Sequence, residues 1–342
     1  ALEAAGIRAI PTGLEHGTIT AIYEGRPYEI TSLRRDVETD GRRAVVAFTE
    51  DWAEDAQRRD FRLNAIYAAA DGNLHEVVPN SVQDAIDGRV IFIGDADQRL
   101  REDYLRILRF FRFNAWYGAG MDADGLAACE RQKDGLAKIA SERIWKELKR
   151  LMEAPDPSEA MLAMEETGVL EAVLPGASAS ELPSLVSVEQ GASLTPDPLQ
   201  RLMAMMPRRA RDVAAVTSHL RLSNAEAQRL TGWADPALTH VLGAQPDALR
   251  RLFYRFGTRT VLDRALIEAA QISAAEAYQA LHAAASDWQK PDFPLGGADA
   301  LAAGLSGPVV GETLRALEED WIASDFSLSR SVLLARLSSQ TG

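Results

Sequence analysis

Cysteine is almost absent from this sequence of 342 residues, which contains only Cys129. A disulfide framework within the chain is therefore excluded, and a reducing compartment, the cytoplasm, is the expected location. Long apolar runs are also missing: no segment reaches the length of a membrane-spanning helix, and no secretory signal opens the chain. The sequence indicates no membrane partner, and no feature points to an obligate protein partner.

Positively charged residues are fewer than negatively charged ones. The 37 Lys and Arg residues stand against 50 Asp and Glu residues, which gives a formal net charge of −13. This balance excludes a surface that binds nucleic acid over its whole area. An RNA substrate stays compatible with the sequence, because a local basic patch can neutralise phosphates on an acidic protein. Composition by itself favours a small-molecule enzyme or a scaffold.

The pattern of hydrophobic residues changes near residue 95. Before that point, short alternating segments predict β-strands at 18–23, 27–34, 45–48 and 89–93, with the first two joined across a Glu24-Gly25 turn. After it, nearly every segment has the period of an α-helix, beginning with one long helix over 95–117. The sequence therefore predicts an α+β protein, in which a small β-sheet module precedes a large helical region.

The helix predicted over 95–117 contains a row of charged residues. Asp103, Arg106, Arg109 and Arg112 recur every third residue, away from an apolar stripe on the same helix. Most such rows are solvated faces. Phenylalanines alternate with these arginines, however, and a purely solvated face does not usually contain them. A solvated face and a cleft between packed modules are equally compatible with the pattern.

A cleft with this row would suit a nucleotide. Arginine offers a rigid fork of donors that fits phosphate groups. An Asp and an Arg three residues apart can together present acceptors and donors to the Watson–Crick edge of a base. A second cluster at 58–65 places Arg59, Asp60 and Asn64 close enough to contact phosphate and ribose, although a capped helix start is the simpler interpretation of that segment alone.

Three stretches follow one another in a characteristic order and spacing: PTGLEHGTITAIYEGRPYEITSLRRDVETDGR, DWAEDAQRRDFRLNAIY and REDYLRILRFFRF. They resemble the head and neck of class II tRNA nucleotidyltransferases, the family of CCA-adding enzymes and bacterial poly(A) polymerases. ASERIWKELKRLM resembles the next neck motif, and 293–322 is similar to the family's RNA-contacting tail. The resemblance is dense over 11–151.

The resemblance implies four segments along the chain. Residues 1–94 are the remainder of the nucleotidyltransferase head, and 95–174 are a helical neck that selects the nucleotide. A Gly-, Ser- and Pro-rich stretch at 175–198 is interpreted as a linker, and 199–342 as a helical body and tail that binds RNA. Within the last segment, the basic stretches 208–211 and 250–259 are candidates for RNA contacts, although solvated helices explain them at least as well.

Four neck residues have roles that the resemblance implies. Asp103 and Arg106 match the pair that selects CTP and then ATP without a nucleic-acid template. Arg109 and Arg112 match arginines that contact the incoming nucleotide. These four residues are therefore expected to bind the nucleotide.

Head residues have implied roles as well. Arg59, with Asp60 and Asn64, matches the motif that holds triphosphate and ribose, so these three are also expected to bind the nucleotide. Glu29 matches a carboxylate close to the metal site and is the expected catalytic residue of the chain. The sequence departs from the family at Arg62, where Thr is usual.

The implied activity is addition of the 3′-terminal CCA to tRNA from CTP and ATP, with Mg²⁺ as cofactor. The family's metal-binding Asp-x-Asp is expected upstream of Ala1, so no metal ligand is expected in this chain. Residues 1–342 alone are therefore expected to be inactive or nearly so, while the full-length protein is active. Two alternatives stay open: a poly(A) polymerase of the same family, and a non-catalytic RNA- or nucleotide-binding relative.

Overall fold

The computed structural model describes residues 2–14, 17–39 and 44–339. The chain divides into two compact units. We call Ala1–Ala179 with His219–Arg221 unit 1, and Ser180–Ser218 with Leu222–Gly342 unit 2. None of the described helices is both long enough and apolar enough to cross a membrane.

Short antiparallel strands form the first part of unit 1. They are β1 (Arg8–Gly13), β2 (Thr18–Tyr23), β3 (Arg26–Thr31), β4 (Arg34–Thr39), β5 (Ala44–Phe48), β6 (Ile66–Ala68) and β7 (Leu74–Glu76). β2 lies between β1 and β3, whereas β4 pairs with β5 and β6 pairs with β7. The predicted turn between β2 and β3 is confirmed: Glu24 and Gly25 both have positive φ angles, 48° and 76°, as a type I′ hairpin turn requires.

Two strand predictions were wrong in detail. The predicted strand over 27–34 is divided, because β3 ends at Thr31 and β4 begins at Arg34. The predicted strand over 89–93 is a buried segment that forms one isolated bridge, between Phe61 and Phe92. A short apolar run has the same composition in a buried extended segment as in a buried strand, so the sequence does not distinguish them.

Eight helices follow or interrupt these strands within unit 1. They are α1 (Trp52–Gln57), α2 (Ser81–Ile86), α3 (Ala96–Glu102), α4 (Leu105–Tyr117), α5 (Ala123–Gln132), α6 (Ser141–Met152), α7 (Ser158–Glu166) and α8 (Val169–Val173). The prediction of a single helix over 95–117 was wrong. Asp103 is extended, with φ −152° and ψ 105°, and its Oδ1 accepts a hydrogen bond from the backbone N–H of Leu105 (3.0 Å). An Asp side chain that bonds a nearby backbone N–H competes with the helix in this way.

An aromatic cluster fixes α4 against the head. Phe92 stacks on Phe110 with ring centroids 5.6 Å apart, and Phe61 lies 4.9 Å from Phe92 and 5.2 Å from Phe113. Phe61 and Phe110 are completely buried. Aromatic pairs at these separations stabilise a core beyond the effect of their buried area. The phenylalanines that alternate with the arginines of α4 therefore pack this helix against the segments that contain Phe61 and Phe92.

Within the described residues after 180, the regular elements are all helices. They are α9 (Leu182–Gly191), α10 (Pro198–Met205), α11 (Ala210–Leu220), α12 (Asn224–Trp233), α13 (Pro246–Phe256), α14 (Thr258–Ile272), α15 (Ala275–Asp287), α16 (Gly297–Ala302), α17 (Pro308–Ala323) and α18 (Arg330–Ser339). Together with the small sheets of unit 1, this content confirms the predicted α+β class.

The stretch 175–198, predicted as a linker, contains α9. Leu185 and Val186 of this helix are buried, so the segment contributes to the core of unit 2. Proline is found in the first turns of both α9 and α10, where it is tolerated because the first backbone N–H groups of a helix lack partners anyway. Two of the prolines in this stretch, Pro183 and Pro198, therefore mark helix starts.

A buried ion pair connects α9 and α10 within unit 2. The Arg201 side chain is fully buried, and its Nη2 donates to Oε2 of Glu189 at 2.6 Å. A second network joins α10, α12 and α14, because Arg229 donates to both Asp197 (2.8 Å) and Asp263 (2.7 Å). Removing one partner of such a pair leaves an uncompensated buried charge, so these contacts fix how the helices pack.

The close packing at the start of α4 makes Gly135 a sensitive position. A Cβ at Gly135, in the 3₁₀ helix Lys133–Lys138, would lie 2.0 Å from Cδ1 of Tyr104. We expect Gly135→Ala to lower the free energy of unfolding by about 1–3 kcal/mol, because overpacking displaces the ring. Gly297→Ala is the matched control, since no atom lies within 4 Å of its added Cβ. Urea unfolding checks the prediction, and equal stability of both variants would contradict it.

Candidate functional site

An open cleft of about 580 Å³ lies in unit 1 beside α4. Its walls come from β4, the segment after α1, the junction of α3 with α4, and α6. Seven of its lining side chains are arginines and two are aspartates. The lining residues are Arg34, Arg58, Arg59, Asp60, Asn64, Asp103, Leu105, Arg106, Arg109, Arg112, Phe113 and Arg143. A chain with a net charge of −13 therefore has a concentrated basic patch at this cleft.

The structure brings together the residues that the sequence predicted as nucleotide-binding. All seven of them line the cleft: Arg59, Asp60, Asn64, Asp103, Arg106, Arg109 and Arg112. The sequence left open whether the charged row is a solvated face or lines a cleft. In the structure, its residues line a cleft. Glu29, the predicted catalytic residue, does not line it: this residue is exposed on β3, opposite Thr20 of β2.

The sequence did not predict three arginines of the cleft. Arg58 adjoins Arg59 in sequence, so the second cluster already contained the signal for it. Arg34 opens β4, and Arg143 lies in the first turn of α6. No local spacing connects either of these two with the row on α4, because only the folded chain brings them to the same cleft.

The helix break at Asp103 places its carboxylate at the start of α4. Oδ1 accepts from the backbone N–H of Leu105 at 3.0 Å, and Oδ2 accepts from Nη2 of Arg143 at 2.9 Å. A carboxylate has about four acceptor positions. Asp103 is therefore oriented by α4 and α6 while it keeps the capacity to accept from a further donor.

Arg106 is held from three directions. Its Nη1 donates to Oε2 of Glu102 (2.6 Å) and to the carbonyl of Arg99 (2.8 Å), both on α3. Its Nη2 donates to the carbonyl of Arg58 at 3.1 Å. The side chain is 13% exposed. Arg106 is therefore a fixed donor group next to Asp103 rather than a mobile surface side chain.

Asp60, Asn64 and Arg109 form one hydrogen-bonded group. Oδ2 of Asp60 accepts from Nε of Arg109 at 2.6 Å, and Oδ1 accepts from Nδ2 of Asn64 at 2.9 Å. The guanidinium of Arg112 lies 4.4 Å from the ring centroid of Phe113 and donates to Glu147 of α6 at 2.7 Å. The arginines of α4 are thus anchored while their exposed parts face the cleft.

Asp55 lies behind the cleft and binds two of its arginines. The side chain of this residue of α1 is 1% exposed. Its Oδ1 accepts from Nη2 of Arg58 (2.6 Å), and its Oδ2 accepts from Nη2 of Arg59 (3.0 Å) and from the hydroxyl of Tyr67 (2.8 Å). Burial alone would raise the pKa of Asp55, but the hydrogen bonds from Tyr67 and Arg58 outweigh it and lower the pKa to about 2.

This arrangement suits a polyanionic ligand that also has a polar planar edge. Guanidinium groups bind phosphate oxygens through paired N–H donors, and the cleft gathers seven of them. Metal ligands are not found nearby: across 2–14, 17–39 and 44–339, no group of three His, Cys, Asp or Glu side chains is placed to hold an ion. The described residues of the cleft can therefore offer paired N–H donors to phosphate oxygens.

The basic stretches of unit 2 are engaged in internal contacts. Within 250–259, every arginine pairs with a carboxylate of the same unit, the partners being Asp325, Asp247, Glu319 and Asp197. Arg208 donates to the carbonyls of Trp233, Asp235 and Leu238. These contacts favour a structural role for these arginines over RNA binding.

The lowered pKa of Asp55 predicts a specific dependence of stability on pH. Because the folded-state pKa lies near 2 and the ordinary value is 3.8, the ionised carboxylate stabilises the fold above pH 4. This contribution, about 2 kcal/mol, is lost as the pH falls towards 2. We expect the stability difference between wild type and Asp55→Asn to shrink by about 1 kcal/mol from pH 6 to pH 3. Urea unfolding at both pH values measures it, and a constant difference would contradict it.

The sequence matches family models and curated proteins. A family model described as "Poly A polymerase head domain" matches residues 2–91, and one described as "Probable RNA and SrmB-binding site of polymerase A" matches 120–180. CCA tRNA nucleotidyltransferase 1, mitochondrial, of Mus musculus is 33% identical over 347 residues, 97% of this chain and 77% of the relative. The CCA-adding enzyme of Staphylococcus haemolyticus is 28% identical over 75% of this chain and 62% of its own length.

Solved structures share the fold. The Bacillus stearothermophilus CCA-adding enzyme in complex with CTP aligns with 97% of this chain and 84% of its own, with a TM-score of 0.73 and 20% identity. The Thermotoga maritima CCA-adding enzyme complexed with tRNA aligns with 100% of this chain and 85% of its own, with a TM-score of 0.62 and 14% identity. Together with the mouse relative, these matches confirm the resemblance seen in the sequence, and the chain belongs to the family of class II tRNA nucleotidyltransferases and bacterial poly(A) polymerases.

Proposed function

We propose that this protein completes the 3′ end of tRNA, transferring nucleotides from CTP and ATP to the terminal 3′-hydroxyl to build CCA. One observation supports the proposal above all: seven residues from separate motifs meet in one basic cleft. The relatives that match nearly the whole chain are CCA tRNA nucleotidyltransferases, and the neighbouring structures include complexes with CTP, ATP and tRNA.

The triphosphate of the nucleotide would lie along the arginines of the cleft. Arg59 and Arg109 flank Asp60, and Arg112 follows one turn later on α4. Guanidinium groups that are already held by Asp55, Asp60 and Glu147 lose little conformational freedom when phosphate binds. Preorganised donors of this kind bind an anion more tightly than mobile side chains.

Asp103 and Arg106 would read the base by its Watson–Crick edge. Cytosine and adenine each place an amino donor next to a ring-nitrogen acceptor on that edge, whereas uracil and guanine place a carbonyl acceptor next to an N–H donor. An Asp acceptor beside an Arg donor therefore complements C and A and opposes U and G. The fixed positions of both side chains support selection of CTP and ATP by the protein alone.

Mg²⁺ would neutralise phosphate charge and activate the 3′-hydroxyl in this reaction. We assign it no ligand among the described residues, because they contain no suitable group, and Glu29 as the catalytic residue stays a prediction. The inactivity of residues 1–342 alone and the cytoplasmic location stay predictions as well. The boundaries of head, neck and body at 94, 174 and 198 are likewise part of the proposal; the stretch between the last two contains the buried face of α9.

Product length tests the proposed function directly. The full-length protein should be incubated with a tRNA that lacks its terminal CCA, with Mg²⁺ and with CTP, ATP or both. CCA addition predicts two nucleotides from CTP alone and three from the mixture. Long products from ATP alone would favour the poly(A) polymerase alternative. Nucleotide binding without any incorporation would favour the non-catalytic relative.

Substitution of Asp103 tests base selection. Asp103→Ala removes the acceptor, so we expect the preference for CTP and ATP over UTP and GTP to fall about 10- to 100-fold, the usual effect of one lost polar contact of discrimination. Affinity for tRNA should stay unchanged. Asp97→Ala is the matched control, because Asp97 lies on α3 and pairs with Arg131 outside the cleft. Unchanged nucleotide preference in Asp103→Ala would refute the assignment.

A further inference from the structure

We propose that Asp55 is a positioning residue for nucleotide binding: it holds Arg58 and Arg59 together so that both face the triphosphate. The inference rests on the proposed function of the cleft. Asp55 does not itself line the cleft, so its effect on the nucleotide would act through the two arginines that it binds.

The carboxylate of Asp55 binds both guanidinium groups, each through two N–H donors. Arg58 donates through Nε (2.9 Å) and Nη2 (2.6 Å) to Oδ1, and Arg59 donates through Nε (3.2 Å) and Nη2 (3.0 Å) to Oδ2. Arg58 and Arg59 follow the end of α1 as adjacent residues, and two adjacent guanidinium groups repel each other. One carboxylate that binds both brings them to the same side of the chain.

Asp55 is itself held in place by two further donors, on β6 and β4. The hydroxyl of Tyr67 on β6 donates to Oδ2 at 2.8 Å, and the backbone N–H of Arg34 on β4 donates to Oδ1 at 3.2 Å. The ring of Tyr67 stacks on Trp52, with centroids 5.4 Å apart and planes inclined by 13°. The carboxylate therefore connects α1, β4 and β6 immediately behind the wall of the cleft.

Asp55 is unsuited to a direct chemical role. Both oxygens of Asp55 are occupied by donors, and its pKa is lowered to about 2 by hydrogen bonds that outweigh burial. Such a carboxylate stays ionised near neutral pH and is too weak a base to take a proton from a hydroxyl. Orientation of the bound arginines is the function that these contacts support.

Two effects of removing the charge have opposite signs. Loss of positioning would weaken phosphate binding, because Arg58 and Arg59 would no longer be held together. Loss of a nearby negative charge would strengthen phosphate binding, because the cleft would become more positive. The sign of the change in nucleotide affinity therefore distinguishes a positioning residue from a counter-ion that merely reduces the charge of the cleft.

The test measures the dissociation constants of CTP, ATP and inorganic triphosphate by calorimetry. Asp55→Asn keeps the shape and removes the charge, whereas Asp55→Glu keeps the charge and lengthens the side chain. We expect both to weaken all three ligands at least about 5-fold and to a similar extent, since the effect acts on phosphate. Tyr67→Phe keeps the stacked ring and removes one hydrogen bond, so it should weaken binding in the same direction by a smaller factor.

Asp84→Asn is the matched control. Asp84 is another carboxylate of unit 1 that is 1% exposed and pairs with two arginines, Arg62 and Arg89, neither of which lines the cleft. This variant should lose stability and keep wild-type affinity for CTP. Thermal unfolding identifies any variant that does not fold, and Tyr67→Phe then provides the decisive comparison.

Each outcome has a defined meaning. Unchanged or tighter binding in Asp55→Asn, or unchanged binding in Tyr67→Phe, would overturn the inference while the proposed function stands. Equal weakening by Asp84→Asn would also overturn it, because general destabilisation would then explain the effect. Failure of the wild-type protein to bind CTP and ATP would overturn the proposed function together with the inference.

Discussion

Mutual repulsion is the constraint that governs the cleft: seven arginines can gather around one opening only if carboxylates lie between them. Asp55, Asp60, Glu102, Asp103 and Glu147 each accept from at least one of these arginines. Most of these contacts lie at the walls, where partial exclusion of water strengthens them. The carboxylates offset the repulsion between neighbouring arginines and hold them in fixed orientations.

The break between α3 and α4 serves this arrangement. In an uninterrupted helix, the carboxylate of Asp103 would follow the helix surface. As an extended residue, Asp103 accepts from the backbone N–H of Leu105 at the start of α4 and also from Arg143 of α6. The Glu102 carboxylate and the Arg99 carbonyl, at the end of α3, both accept from Arg106. Local departure from helical geometry therefore fixes both members of the pair that would read the base.

Much of this site could be predicted from the sequence, for a physical reason. Arg106, Arg109 and Arg112 recur at helical spacing on α4, and a row of this kind keeps its geometry when the surrounding fold is unknown. The break at Asp103 escaped prediction because the apolar stripe continues through both α3 and α4, so periodicity alone does not detect it. Asp55 was not predicted, because its position depends on a hydrogen bond from Tyr67. No local spacing relates a helix residue to a strand residue twelve positions further along the chain.

The resemblance in sequence predicts Thr where this chain has Arg62, and in the structure Arg62 has a carboxylate partner. Arg62 lies 3.6 Å from the buried carboxylate of Asp84 on α2, which also pairs with Arg89 at 3.0 Å. A new cation at this position therefore meets a carboxylate that is removed from water and benefits from a second partner. Because neither arginine lines the cleft, the exchange adds positive charge to the head without placing it among the groups that would hold the triphosphate. The chain as a whole is acidic, so the basic cleft attracts a polyanion that much of the remaining surface repels.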